Sequence, residues 1–251
     1  MAAGNRFRQQ GLRLLALLLL CTLALQCVWL ARVAMMRFID PQSTSFQRSE
    51  AWRLLVDQHE LRWRQDWRDL AQIDKSLQRA VIASEDAGFV DHGGVDWDAI
   101  QGAWQRNQRA QERVQRQAAR KPGTAPTARI VGGSTISQQL AKNLFFSGER
   151  TAARKAQELV VTLCLESLLP KERILEIYLN QVEWGEGVFG AQAAARHFYA
   201  QDASKLTPER AARLAVMLPA PKRFEKLPNS PYVQARAATI VARMNSVQLP
   251  P

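Results

Sequence analysis

The stretch GGSTISQQLAKNLFFSGERTAARKAQE, Gly132 to Glu158, decides the architecture, because it reads as two consecutive helices crowded with chemistry-capable side chains. Gly132 and Gly133 loosen the entry. Thr135 with Gln138 three residues on forms a T-x-x-Q capping box, and Ile136, Leu140 and Leu144 mark one apolar face. A helix is therefore expected from about Ile136 to Phe146. On it Gln138, Gln139, Lys142 and Asn143 occupy two adjoining faces, since side chains three or four apart are neighbours. Ser147 and Gly148 break the pattern, and a second helix is expected from near Thr151 to near Pro170, where another starts. Arg154, Lys155 and Glu158 are placed on one exposed face of that second helix, two cations within a turn of a carboxylate leaving positive charge to spare.

Working downstream, Pro170 opens a helix with Ile174, Leu175, Tyr178 and Leu179 inward, while Glu176 and Asn180 cap and brace. Gly185, Gly187 and Gly190 shape the turn that follows. Thr207 with Pro208 and Ser230 with Pro231 are good N-cap pairs for two later helices. Upstream, Asp74 to Ala87 reads as a helix with Leu77, Val81 and Ile82 inward, delivering Glu85 and Asp86 at its far end. A carboxylate placed there, beside Phe89 and a glycine-rich bend, is partly desolvated, which lifts its pKa towards that of a useful general base. Taken alone, Glu85 reads as a surface residue at a helix end rather than as a base. Asp86 is read as an acceptor for loop amides and His92 as a loop histidine making one hydrogen bond. Between Arg37 and Leu70 the apolar residues Leu54, Leu55, Leu61, Trp63, Trp67 and Leu70 are read as helix packing, with the membrane interface as the other place for the tryptophans.

At 251 residues and 47% hydrophobic the chain has enough apolar material for one good core, and one domain is the default. Leu14 to Ala31 carries no charge and just spans a hydrocarbon layer about 30 Å thick. Arg6, Arg8 and Arg13 precede it, so the tail is expected to stay cytoplasmic and the rest to be exported. The apolar run exceeds the usual core of a cleaved signal. Leaving out those three arginines, the exported part holds 31 cations against 23 anions, a surplus of +8 that an anionic membrane surface attracts. Nucleic acid is not an expected partner, for there is no zinc-finger spacing and no basic-aromatic repeat. His59, His92 and His197 lack metal-ligand spacing, and no HExxH occurs, so no histidine-built metal site is expected. Gln105 to Arg129 carries seven Lys or Arg and few apolar residues, then turns to Pro, Gly, Thr and Ala. It is read as a polar helix fading into a loop, either a solvated face or a lid over a phosphate-bearing or lipid-surface substrate.

Four segments in order, EDAGFVDHGGVDW, GGSTISQQLAKNLFF, ERTAARKAQE and KERILEIYLNQVEWGEGVFGAQAAARHFY, resemble the peptidoglycan glycosyltransferases of glycosyltransferase family 51, the monofunctional transglycosylases of Gram-negative bacteria in particular. The likeness runs from about Leu77 through APKRF. Two departures stand out: the basic segment before Gly132 is longer than the family usually has, and Pro219 stands where many bifunctional relatives place a lysine, a contact that Lys222 or Arg223 would replace. The resemblance implies an all-α, lysozyme-like domain over residues 37–251 with a small membrane-associated jaw, after a tail and transmembrane anchor over residues 1–36. It implies polymerisation of lipid II, a disaccharide-peptide on a polyprenyl pyrophosphate, into β-1,4 glycan strands at a bacterial inner membrane. The growing strand is the donor and the next lipid II the acceptor. Other cell-wall synthesis proteins are candidate partners. No Ser-x-x-Lys occurs, so no penicillin-sensitive domain is expected.

Replacing an α-linked pyrophosphate by a sugar hydroxyl to give a β bond is one inversion, which needs one base and positive charge for the leaving group. Glu85 matches the family's catalytic base and Glu158 its second essential glutamate. Arg154, Lys155 and Lys142 form the leaving-group clamp, joined by Arg150. Gln138, Gln139 and Asn143 grip sugar groups or brace the cleft, and Asp86 and Phe89 complete the substrate-binding set. No resident cofactor is expected; a divalent cation such as Mg2+ or Mn2+ assisting the pyrophosphate is the alternative left open. Two other readings stand beside this one: a lysozyme-like glycan-cleaving enzyme and a non-catalytic membrane-tethered scaffold.

Overall fold

The computed structural model describes residues 2–120, 132–146 and 151–251, with the backbone alone for 2–7 and 119–120. It is mostly helical. Helix α1 (Ala2–Met35) contains 28 residues, Arg8–Met35, long and apolar enough to cross a membrane. Its last turn enters the globular part, where Val33 and Met36 are buried. A Thr44–Gln47 capping box then starts α2 (Ser45–Gln58).

The expectation of helix packing through Leu70 holds for Leu54 but not for the tryptophans. Residues 60–68 are extended, with Arg64 bridging Val188: Arg64 N donates to Gly187 O at 2.8 Å, and Phe189 N donates to Arg64 O at 2.9 Å. Gly187 makes this possible, because at φ +73° a side chain there would meet Arg62 O at 2.5 Å. Trp63 packs on Phe189, and Trp67 lies under the Arg173 guanidinium.

Helix α3 (Lys75–Glu85), capped by Asp74, buries Leu77, Ala80, Val81 and Ile82. After α4 (Trp97–Arg120) come α5 (Ile136–Phe145), α6 (Ala152–Leu168) and α7 (Lys171–Gln181). The all-α expectation gains a small exception in the hairpin of β1 (Glu183–Gly185) and β2 (Val188–Phe189), followed by α8 (Ala191–Tyr199). Then come α9 (Pro208–Met217), the short α10 (Pro221–Glu225) and α11 (Pro231–Met244). Thr207 and Ser230 cap α9 and α11 ahead of their first-turn prolines, as their sequences require.

Helix α5 is the axis of the core. Ile136, Ser137, Gln138, Leu140, Ala141, Asn143 and Leu144 are all buried, and the helix packs against α2, α6 and α7. Its far end meets the apolar helix, Trp29 of α1 lying edge-on to Phe146 at 5.5 Å. Helix α6 packs along α1 while leaving Leu159, Val160 and Leu163 exposed. Helix α3 lies against α9 and α11, which presents its C-terminal end to the first turn of α5. Among the described residues Cys21, Cys27 and Cys164 are all free.

Candidate active site

The end of α3 and the start of α5 build the site together. Glu85 is the last residue of α3, and its Oε2 accepts a hydrogen bond from Gln139 Nε2 at 3.0 Å. Gln139 is held in turn by the hydroxyl of Tyr178 on α7, which donates to Gln139 Oε1 at 3.0 Å. Burial pushes the Tyr178 hydroxyl well above its ordinary pKa, and the charges of Glu85 and Asp86 push the same way, so it stays a donor. With the Tyr178 hydroxyl donating to its oxygen, Gln139 turns its amide nitrogen to the Glu85 carboxylate. Tyr178 was legible in sequence only as an inward apolar residue.

Burial is also the main force on Glu85. It raises the carboxyl above the usual range, opposed by hydrogen bonds from Gln139 and Ser84. The expected partly desolvated carboxylate is what the fold provides. Glu85 lines a hollow of about 290 Å³ with Asp86, Asp96, Arg106 and Gly132 to Thr135. A second hollow of about 280 Å³, lined by Trp104, Gln138, Lys155 and the first half of α4, meets it at Gly133 and Ser134. Gly133 keeps the passage tight against α4: a Cβ there would lie 3.2 Å from Ile100 Cα.

Asp86 acts as the amide acceptor its sequence position implied. Its Oδ2 takes the free N–H of Ile136 at the start of α5, at 3.0 Å, and its Oδ1 pairs with His92 Nε2 at 2.9 Å. His92 makes two hydrogen bonds where one was expected, since Gly94 N donates to its Nδ1 at 3.1 Å. Asp86 pulls the His92 pKa upward, whereas the Gly94 N–H needs an unprotonated Nδ1. The second contact defines the neutral tautomer that donates through Nε2 to Asp86. Gly94 itself sits at φ +92°, with space for a Cβ already filled by Glu166 Cγ at 2.8 Å and Thr162 Cγ2 at 2.9 Å on α6. Behind this loop Lys171 Nζ joins His92 O (2.7 Å) to Glu166 Oε1 (2.9 Å), and Ser137 of α5 donates to the same Glu166 oxygen. No sequence pattern had marked Ser137, Glu166 or Lys171.

The clamp residues divide. Glu158 is 3% exposed, which corrects the expectation that it shares an exposed face with its cations. Arg154 Nη1 reaches Glu158 Oε2 at 3.3 Å, and Lys155 Nζ bonds Glu158 Oε1. The side chains three and four residues earlier fold down over it, so the carboxylate lies beneath and the cations above. Lys155 is exposed and Arg154 partly so. Arg154 Nε finds no acceptor among the described residues. Lys142 is exposed on α5, and Arg150 lies outside the described residues.

Three expected substrate contacts turn inward. Phe89 is 0% exposed beneath the Lys171 ammonium, so its ring offers no surface to a ligand and instead anchors the loop. Gln138 is mostly buried in the capping box yet still lines the second hollow, and Asn143 is buried in the core-facing side of α5. Lys222, offered as a replacement phosphate contact, is paired with Glu50 and lies 3.9 Å from Glu183.

Among the described residues, two acidic clusters have their ligand atoms already engaged. Ligand atoms of Asp86, His92 and Asp96 lie within 4.8 Å of one another. Yet Asp86 and His92 have each committed their donor atoms as described, and Asp96 Oδ1 caps Ala99 N at 2.7 Å. Glu158 likewise has both oxygens on cations. A resident cation would have to break these bonds, and no step is derived through one.

The family model described as Transglycosylase matches residues 54–245. Over 235 residues the chain is 47% identical to the biosynthetic peptidoglycan transglycosylase of Paraburkholderia xenovorans (strain LB400), covering 94% of this chain and 91% of that one. It is 49% identical over 228 residues to the protein of the same name from Burkholderia pseudomallei (strain K96243), covering 91% and 83%. With that of Bordetella pertussis (strain Tohama I / ATCC BAA-589 / NCTC 13251) it shares 45% over 232 residues, covering 92% and 91%.

Proposed function

Since the chain belongs to the transglycosylase family and is a peptidoglycan transglycosylase, we propose that it polymerises lipid II into β-1,4 glycan strands, inverting the donor anomeric carbon and releasing polyprenyl pyrophosphate. The observation that carries this reading is the pairing of two unlike hollows through Gly133 and Ser134. One presents a half-buried carboxylate, Glu85, whose hydrogen-bond partners are neutral; the other presents the ammonium of Lys155 on the helix that carries Arg154.

In this reading the acceptor's 4-hydroxyl lies in the first hollow, where Glu85 takes its proton as the oxygen attacks. Gln139 and Tyr178 hold the carboxylate lone pair in line. The bond from the donor's anomeric carbon to the pyrophosphate breaks in the same step, and the charge gathering on the leaving group is met by Lys155, Arg154 and Lys142. Glu158 sets the two α6 cations in place from beneath and neutralises part of their mutual repulsion. Arg150 belongs to the same proposed clamp.

The apolar α1 anchors the chain once in the bacterial inner membrane, its arginines on the cytoplasmic side and the catalytic part in the periplasm. The exposed Leu159, Val160 and Leu163 on α6, beside α1, fit a membrane-associated jaw with the anionic membrane surface as neighbour. Incubation of the full chain in detergent or bilayer with lipid II tests the whole reading: strands should lengthen and polyprenyl pyrophosphate accumulate. Shortening of preformed glycan instead would establish the cleaving alternative, and unchanged behaviour of E85Q would establish the scaffold.

A further inference from the structure

Helix α4 carries a feature that the reaction above does not use. Arg106, Arg109, Arg113 and Arg116 recur at intervals of three, four and three, which sets all four on one side of the helix. All four are exposed, and from Arg106 to Arg116 the stripe climbs about 15 Å. The small and apolar residues Ala103, Ala110, Val114 and Ala118 fall on another side. Asp98 and Glu112 are the helix's own acids, and Glu112 meets Arg116 at 3.8 Å in a pair exposed on both sides, a contact of little weight. The stripe has a fixed beginning, because Arg106 lines the same hollow as Glu85. Helix α4 is seated there, with Ala103 buried behind Gly133, and its side chains from Gln105 to Gln117 are exposed or half-buried.

We infer that this arginine stripe binds the acidic peptide carried by the acceptor saccharide, holding its free carboxylates while the sugar occupies the Glu85 hollow. The inference rests on the polymerase reading and adds a specificity element to it. Three points on the molecule favour this partner. The stripe is continuous with the hollow that receives the sugar, so a peptide branching from that sugar leaves along it. Its length suits an extended peptide, since the rise of about 15 Å from Arg106 to Arg116 matches about four or five extended residues. Guanidinium groups are matched to carboxylates, which they grip through two parallel N–H donors, and successive positions on one helix side lie about 5 Å apart, the scale of neighbouring peptide carboxylates. Phosphate headgroups of a bilayer would use the same charges but have no need of a stripe that starts inside the catalytic hollow.

The test uses the full chain in vesicles of zwitterionic lipid, with two lipid II preparations, one with free peptide carboxylates and one with them amidated. R109Q/R113Q/R116Q is compared with the parent and with R109K/R113K/R116K, all exposed positions outside the catalytic machinery. The glutamine variant should raise KM for the acidic substrate roughly tenfold, about a factor of two for each exposed ion pair, with kcat unchanged. Amidated substrate should show no such difference, and the lysine variant should restore most of the lost affinity. An equal effect on both substrates overturns the inference. So does a variant effect that appears only when anionic phospholipid is added, which would assign the stripe to the membrane. Failure of the parent to extend either substrate would instead sink the polymerase reading beneath it, and the two failures are thereby told apart.

Discussion

Glu85 and Glu158 are both screened from water, and they are kept in opposite company. Glu85 at the end of α3 is hydrogen-bonded by an amide and faced by a hydroxyl, with the charge of Asp86 beside it. Glu158 in the middle of α6 lies under an ammonium and a guanidinium. The first surrounding leaves a carboxylate with appetite for a proton; the second leaves one whose charge is answered and whose value lies in where it puts its partners. Two glutamates in one chain thus have opposite surroundings because of what their helices place three or four residues away and across the core.

The strongest way to break the contrast is to take away the base. E85Q keeps the volume and the Gln139 contact in altered form, and polymerisation should fall by about 10²- to 10⁴-fold with the melting temperature little changed, as read by strand assay and calorimetry. E158Q should cost about 10²-fold in rate and, unlike E85Q, about 2 kcal/mol of stability, because it leaves the partly buried Arg154 without its counter-charge while the exposed Lys155 is resolvated. If the two variants lost rate and stability in the same proportion, the division of labour would be wrong. Y178F sharpens the first half: without its hydroxyl, Gln139 is free to turn, and the rate should drop about fivefold, the equivalent of one hydrogen bond. Q139L probes the same relay through pH. The Gln139 hydrogen bond lowers the Glu85 pKa, so its loss should move the acidic limb of the rate profile to higher pH.

A third glutamate provides the smallest and most distant effect. Glu183 on β1 is 6% exposed, its Oε1 has no hydrogen-bond partner among the described residues, and burial pushes its carboxyl up to about 8. Its folded pKa lies above the ordinary 4.5, so the folded chain holds a proton that the unfolded chain has released. Stability from this group is fully present below about pH 4.5 and fades as pH rises through about 8. E183Q should therefore melt a few degrees higher than the parent at pH 8.5 and match it near pH 4.5.

Much of this was legible from local pattern. The Thr135–Gln138 capping box, the Asp74, Thr207 and Ser230 caps and the delivery of Glu85 at a helix end are all short-range consequences of residue order. What escaped depends on partners far apart in the chain. Tyr178 touches Gln139 from another helix, and the Ser137, Glu166 and Lys171 group joins three helices through one carboxylate oxygen. The extended path of residues 60–68 was hidden because it is fixed by Gly187, more than a hundred residues later. Glu158 was misplaced for a subtler reason: a carboxylate flanked by cations looks like a surface group until the body beneath the helix is known.

Gly94 joins the loop after Glu85 to α6. Its missing side chain lets that loop rest directly against Glu166 and Thr162 of α6, the helix that also carries Glu158. The separation between Glu85 and the Arg154–Lys155 pair is thus gauged by bare backbone touching methyl and methylene groups. One added carbon would act as a shim, prising the two halves of the machine apart, and a saccharide spanning them would be asked to stretch across a gap that chemistry does not forgive.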